Sequence, residues 1–273
     1  MNDIFSVQFG GHAVELNARP KAFLDLLTTH LKHCRAGLQP VVAQFHLTAI
    51  SENLFSISEN GSVLFSGLEH ETACQMLMQA GLAHLNGACV QGAVFHAAAV
   101  ANSHGAVILC GASGSGKSTL TAWLLANGFQ YLSDEVILYE KSGRISGFAR
   151  SLVLKPGAAF VWQTVLSQAE GPEMFRFKDG SVWLEPTLLN PNEICTQAVP
   201  RLLLFPRYVA GSPLRVTPLT PAESLFRLLQ TLVNARNLPF FGMELAKHLA
   251  RHVTAYAVEY SDLKSMTAWM QQV

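Results

Sequence analysis

Apolar and polar positions alternate along the first part of the chain in a pattern that predicts short strands with two helices between them. Ile4 to Leu16 reads as a strand or hairpin broken at Gly10-Gly11, and Pro40 to Ile50 alternates as a strand does. Asn53–Ser58 and Ser62–Phe65 bracket Glu59-Asn60-Gly61, where Asn-Gly signals a hairpin turn. Phe23, Leu26, Leu27 and Leu31 recur at helical spacing within Lys21–Cys34, and Glu69–Leu85 predicts a second helix. Residues 1–85 are therefore expected to form a small α+β N-terminal region packed on a core that occupies 86–273.

The second part alternates differently. Gln91–Ala101 predicts one strand, Asn102-Ser103-His104-Gly105 a tight turn, and Ala106-Val107-Ile108-Leu109-Cys110 a fully buried strand. Ser118 to Asn127 predicts a helix stopped by Gly128. Phe129–Ser133 then predicts a strand ending on Asp134-Glu135, and Val136–Tyr139 with Ile145–Phe148 a hairpin around Lys141–Arg144. Beyond a mixed region running to Asn192, with strand-like Ser181–Leu184, Arg201–Phe205 predicts another buried strand. Thr220-Pro221-Ala222-Glu223 starts a helix, with proline at its first position, that carries Leu225, Leu228, Leu229 and Leu232 inward. A helix over Gly242–His252, a strand over Ala255–Tyr260 and a C-terminal helix complete the chain. His248 and His252 stand one helical turn apart, but no glutamate follows the first and no third ligand is evident, so they read as a solvated face.

Between the buried strand and the helix lies Gly111-Ala112-Ser113-Gly114-Ser115-Gly116-Lys117-Ser118, which fits G-x-x-x-x-G-K-[ST] at every position. Such glycines let backbone amides turn inward around phosphate oxygens, and the helix N-terminus adds partial positive charge. The residues expected to hold a nucleotide are Gly111, Ser113, Gly114, Ser115, Gly116, Lys117, Ser118 and Thr119. Lys117 reaches the outer phosphates, and Ser118 ligates Mg²⁺. The entry to the loop is an antiparallel hairpin, unlike the usual parallel setting of this motif. Asp134 and Glu135, at the end of a neighbouring strand, are the candidate carboxylates. One could hold Mg²⁺ and the other accept the proton of an attacking hydroxyl. His96, inside the apolar run Val94–Ala98, reads equally as a satisfied core histidine or as a partner of that pair.

Composition narrows the class. Charged residues make up 14% of the 273, against the ~25% typical of soluble proteins, and 49% are hydrophobic. That fits a compact body with large buried faces and permits a homo-oligomer. The formal net charge is +0, so no basic field attracts nucleic acid or anionic lipid, and phosphate affinity must be local. Five cysteines without a C-x-x-C pair fit reduced thiols and a cytoplasmic protein. The N-terminus has no basic start followed by an apolar block, and no run of eighteen or more apolar residues predicts a membrane span.

The order of a histidine strand, a turn, G-x-S-G-x-G-K-S, a helix ending in glycine and a strand closing on an acidic doublet resembles HPr kinase/phosphorylase. It is most similar to the shorter HPr-kinase-related proteins that lack a separate N-terminal domain. The likeness is carried by Phe95–Lys155 and extends weakly through Phe205-Pro206-Arg207-Tyr208. It implies an α/β fold: a P-loop kinase core of the HPr-kinase/phosphoenolpyruvate-carboxykinase type with a mixed, partly antiparallel sheet. It implies an ATP- and Mg²⁺-dependent serine kinase moving the γ-phosphoryl group to a hydroxyl. Asp134 takes the place of the base, His96 of the histidine that contacts the acidic pair, Lys117 and Ser118 of the loop residues, and Glu135 of a second aspartate. Arg150, Lys155 and Arg207 lie in recurring segments and could neutralise the phosphoryl group or bind an anionic acceptor. The arginine-glycine-leucine-glycine signature for the protein substrate is missing, so the resemblance does not carry over HPr as acceptor or the reverse phosphorolysis. Relatives found beside small peptide-binding chaperones imply a peptide or small-protein acceptor. A small-molecule kinase and a nucleotide-gated binding module without catalysis are the alternatives.

Overall fold

The computed structural model describes residues 4–159, 173–191 and 194–270. Parts of the mixed region anticipated before Asn192 lie outside these. The chain divides into two compact units, 1–91 and 92–273.

In the first unit, β1 (Ile4–Phe9) and β2 (His12–Ala18) form a hairpin whose turn uses Gly10 and Gly11, both at positive φ. Helix α1 (Lys21–His30) crosses to β3 (Val41–Ala49), which pairs parallel with β2. The helix is shorter than its apolar spacing suggested, because a 3₁₀ turn takes over at Lys32–Cys34. Strands β4 (Phe55–Glu59) and β5 (Ser62–Leu68) follow, joined through Asn60 and Gly61 at positive φ as the Asn-Gly signal required. Helix α2 (His70–Ala88) completes the unit. The sheet order is β1-β2-β3-β4-β5. Along β3, Ala43, Phe45 and Leu47 are buried while Gln44, His46 and Thr48 are exposed, so one face packs and the other meets water.

In the second unit the stretch expected as a single strand is two. β6 (Gly92–Phe95) and β7 (Ala97–Asn102) part at His96 and enter different sheets. The order then runs β8 (Gly105–Cys110), α3 (Lys117–Ala126), β9 (Gln130–Ser133), β10 (Ile137–Glu140), β11 (Ile145–Gly147), β12 (Leu152–Leu154), β13 (Met174–Arg176), β14 (Val182–Leu184), β15 (Gln197–Ala198), β16 (Pro200–Tyr208) and β17 (Arg215–Pro218). Helices α4 (Pro221–Leu229) and α5 (Met243–His252), strand β18 (Thr254–Tyr260) and α6 (Leu263–Met270) end it. The central sheet has the order β17-β18-β16-β8-β7-β9, with β8, β16 and β18 parallel and β7 antiparallel to β8 and β9. Alternation on β7 splits its residues between two cores. Ala98 and Val100 join Leu120, Leu124, Met266 and the residues of β12 and β14, whereas Ala97, Ala99 and Ala101 join Phe95, Ile137, Leu228 and Leu249. A sheet covered on both faces explains the unbroken apolar run of β8.

Helix α4 begins with the anticipated proline and adds a capping box, in which the Thr220 hydroxyl accepts from Glu223 N and the Glu223 carboxylate accepts from Thr220 N. It ends at Leu229, so Leu232 packs from the following segment, which bridges to Phe95 instead of extending the helix. His248, on the exposed face of α5, shares a 2.6 Å hydrogen bond between its Nδ1 and the Tyr139 hydroxyl, and its ring stacks on His252 at 4.0 Å. No helix among the described residues is long and apolar enough to cross a membrane.

Candidate functional site

Strand direction gathers the chemistry at one edge of the central sheet. β8, β9, β16 and β18 all finish there, and antiparallel β7 starts there, with Ala97 opposite Cys110. The Gly111–Ser118 loop, Asp134, Glu135, His96, Tyr208 and Tyr260 consequently meet at the carboxyl edge, where open α/β sheets accept ligands.

The loop leaves β8 and turns through Gly114 (φ 84°) and Gly116 (φ 96°), conformations that a Cβ would strain. Gly116 is the residue preceding α3, so the amides of Lys117, Ser118 and Thr119 open the helix without intrahelical acceptors. Lys117 is buried, and its Nζ donates to Gly111 O at 2.7 Å and Ala112 O at 3.2 Å. Burial lowers its pKa from the ordinary lysine value, against the opposing charge of Asp134. Lys155 extends from beyond β12 to donate to Ser113 Oγ at 3.3 Å, so a second cation stands over the loop.

The acidic doublet is fixed by a neighbour. Ser133 Oγ donates to Phe148 O at 3.0 Å and accepts from the amides of Glu135 and Val136, turning the chain sharply from β9 toward β10. Asp134 is 5% exposed, and its Oδ1 is buried without a hydrogen-bond partner. Burial pushes its carboxyl up to about 7, helped by the Glu135 charge, against the pull of Arg150, a Ser118 hydrogen bond and Lys117. Glu135 shifts the other way. Burial raises it, but Arg150, His96 and Lys117 together hold it below the usual glutamate range. Two adjacent carboxylates with opposite shifts are suited to different roles.

His96 occupies the gap between β6 and β7, with its Nδ1 3.6 Å from Glu135 Oε1 and its amide donating to Thr231 O at 2.7 Å. Its side chain is 39% exposed beside Glu135 and is not sealed in the core. Arg150 is buried and its Nη2 donates to Glu135 Oε2, while Nη1 donates to Ser151 O at 3.0 Å. Arg150 thus sits within the acidic cluster. Arg207 is placed apart, exposed and 3.8 Å from Glu259 Oε2. Cys110 precedes the loop as a buried thiol, pushed up to about 12 by burial and so neutral at ordinary pH.

Asn234 and Tyr260, which help shape the edge, carry no sequence signal, and Tyr208 is marked only as part of the segment Phe205–Tyr208. Asn234 inserts its side chain along β6, accepting from Val94 N at 2.8 Å and donating to Gly92 O at 2.9 Å. With Val233 N donating to Val94 O, the 231–234 segment pairs with β6 and fixes the break at His96. Tyr208 donates its amide to Ser115 O at 3.1 Å, and Tyr260 sets its hydroxyl 3.4 Å from Gly116 O. These contacts join residues more than ninety positions apart, so no local pattern could have marked the contacts themselves.

The Ser118 hydroxyl, the unpartnered Asp134 oxygen and the Glu135 carboxylate are hard oxygen atoms of the kind Mg²⁺ takes, although no cluster of three or more His, Cys, Asp or Glu side chains that could hold a metal is found among the described residues and the Glu135 oxygens already face Arg150 and His96.

No protein-family model matches the chain, and no curated protein does. Among solved structures it is similar to one described as the Hpr(Ser) kinase/phosphatase from Coxiella burnetii, at 14% sequence identity and a TM-score of 0.28, over 62% of this chain and 79% of that one. Overlap at that level establishes neither a shared fold nor a shared activity; the architecture stands as mixed α/β on its own strands and helices.

Proposed function

We propose that this chain is a P-loop kinase of the HPr-kinase/phosphoenolpyruvate-carboxykinase type. It transfers the γ-phosphoryl group of ATP, with Mg²⁺, to a hydroxyl, which by resemblance is the serine of a peptide or small protein. The observation that carries the reading is Asp134: a buried carboxylate, one oxygen unpartnered, bonded to Ser118 of the glycine loop and poised near neutrality. A general base is most effective when its pKa lies near the working pH.

The loop amides and the start of α3 bind the polyphosphate. For a phosphate to enter, the Lys117 ammonium leaves the carbonyls of Gly111 and Ala112 and turns to the anion. Ser118 and Glu135 would hold Mg²⁺ beside Asp134, and such an ion would supply charge neutralisation for the phosphates. Asp134 takes the hydroxyl proton as the oxygen attacks. His96 and Arg150 keep Glu135 ionised and oriented, and Lys155 over Ser113 offers positive charge to the transferred group. Arg207, engaged with Glu259, has no part in this scheme.

The test is transfer of label from γ-labelled ATP to a panel of serine-containing peptides in the presence of Mg²⁺. Labelled product is expected from the unaltered chain and its loss from Asp134→Asn. Labelling that persists in Asp134→Asn removes that residue as base. ADP release with metabolites but not peptides moves the acceptor to a small molecule.

A further inference from the structure

The two flanks of the glycine loop differ in kind. On the side of β7 and β9 stand the carboxylates and the histidine. On the side of β16 and β18 stand two tyrosines, next in sequence to Arg207 and Glu259, which pair with each other at 3.8 Å. Tyr208 ends β16, the strand paired directly with β8, and Tyr260 ends β18, one strand further out. Neighbouring strands lie about 4.8 Å apart, so these rings begin within one or two strand widths of the loop. They also bound it closely. A Cβ on Gly116 would lie 2.7 Å from the Tyr260 hydroxyl oxygen and 3.3 Å from Tyr208 Cβ, so the loop backbone passes directly against the pair.

Tyr260 is the buried member, at 1% exposure, and its ring meets Tyr208 edge-on, with centroids 6.0 Å apart and planes at 79°. Tyr208 is the open member, 45% exposed even though its backbone is pinned to Ser115 O. A large aromatic ring left to solvent, with its main chain anchored to the loop and its edge braced by a second ring, is a preset flat surface with little left to order on binding.

Resting on the kinase reading above, we propose that Tyr208 is the stacking platform for the base of the phosphoryl donor, so that the donor is a nucleotide and not a bare polyphosphate. The direction of the ligand follows from the acid flank. If the terminal phosphate is drawn toward Asp134, the chain of phosphates crosses the loop and its other end emerges beside β16, where Tyr208 waits. Stacking is tolerant of base identity because every base has a π-face. Tyr208 therefore favours nucleoside triphosphates as a class over tripolyphosphate without selecting strongly among purines.

The experiment is titration calorimetry of the full chain with Mg·ATP and, separately, with Mg·tripolyphosphate, for the unaltered protein, Tyr208→Ala and Tyr208→Phe. Loss of one stacked ring is expected to weaken ATP roughly ten- to a hundredfold in Tyr208→Ala. Tripolyphosphate affinity should stay the same, and Tyr208→Phe should bind ATP as the unaltered chain does. If Tyr208→Ala weakens both ligands equally, or neither, the platform is overturned while phosphate binding at the loop survives. If the unaltered chain binds neither ligand, the kinase reading itself falls and the platform with it. Circular dichroism of Tyr208→Ala matching the unaltered protein separates loss of binding from loss of fold.

Discussion

The two units of this chain treat buried polarity in opposite ways. Among the described residues of 1–91, His30 is the buried polar side chain. In 92–273 the interior takes in Lys117, Asp134, Arg150, Ser133, Asn190 and Asn234, among others. Each such group costs free energy unless paired, and Asp134 has an oxygen that is not. In the first unit alternation along β3 divides a buried face from an exposed one, and helices α1 and α2 add buried apolar residues such as Phe23, Leu27 and Leu77. In the second, Lys117, Ser133, Asp134 and Arg150 gather at the edge where the glycine loop lies, while Asn190 donates to Phe129 O at the opposite end of β9.

Replacing Asp134 should give the largest effects. As a base, Asp134→Asn should lower kcat by about 10²–10⁴-fold, read as ADP release with an acceptor present. The same change should stabilise the free protein at alkaline pH. The folded carboxyl titrates near 7 and the unfolded one near 3.8, so between those values the folded chain holds a proton that the unfolded chain has lost. Stability from this group therefore falls as pH rises from about 4 to about 7 and stays low above. Urea unfolding at pH 8 should place Asp134→Asn roughly 1–4 kcal/mol above the unaltered chain, with the gap closing near pH 4. A variant less stable at pH 8 would break the comparison.

A core truncation in the first unit should behave oppositely. Phe45 is fully buried, and Phe45→Ala should cost about 3–5 kcal/mol in urea unfolding. The remaining folded protein should bind Mg·ATP with unchanged affinity; a weakened affinity would mean the units are not separable in this respect. Arg150→Met comes next, at about 3 kcal/mol of destabilisation, because it removes the strongest opposing charge from Glu135 and Asp134 and leaves Lys117 and His96 to offset them. Its loss should also move the Asp134 titration above 7, visible as a displaced pH profile of unfolding. The smallest effect belongs to His46→Ala, on the wet face of β3, which should stay within about 0.5 kcal/mol.

These differences also explain what could be read from residues alone. Alternation along β3 and the Asn60-Gly61 turn located the first sheet, since a half-wet sheet writes its register into its sequence. The glycine loop and the Asp134-Glu135 doublet were legible because they depend on contiguous residues. The break at His96 was not, because Val94, Phe95, Ala97 and Ala98 are all buried and apolar; only Thr231 and Asn234, far along the chain, reveal that two sheets divide the run. Arg207 shows a related separation. Its position at the end of β16 matches the site edge, yet its side chain turns to Glu259 on the neighbouring strand. Backbone placement and side-chain direction are separate facts, and a motif conveys only the first.

The reversed course of β7 has a practical result. Because that strand begins at the loop edge, its far end, the bend at Asn102–Gly105, lies a full strand length from Lys117 and Asp134, and Ser103 and His104 point into solvent there. A fluorophore or tether fixed at Ser103 would give experimenters a handle on the molecule that leaves its working rim untouched.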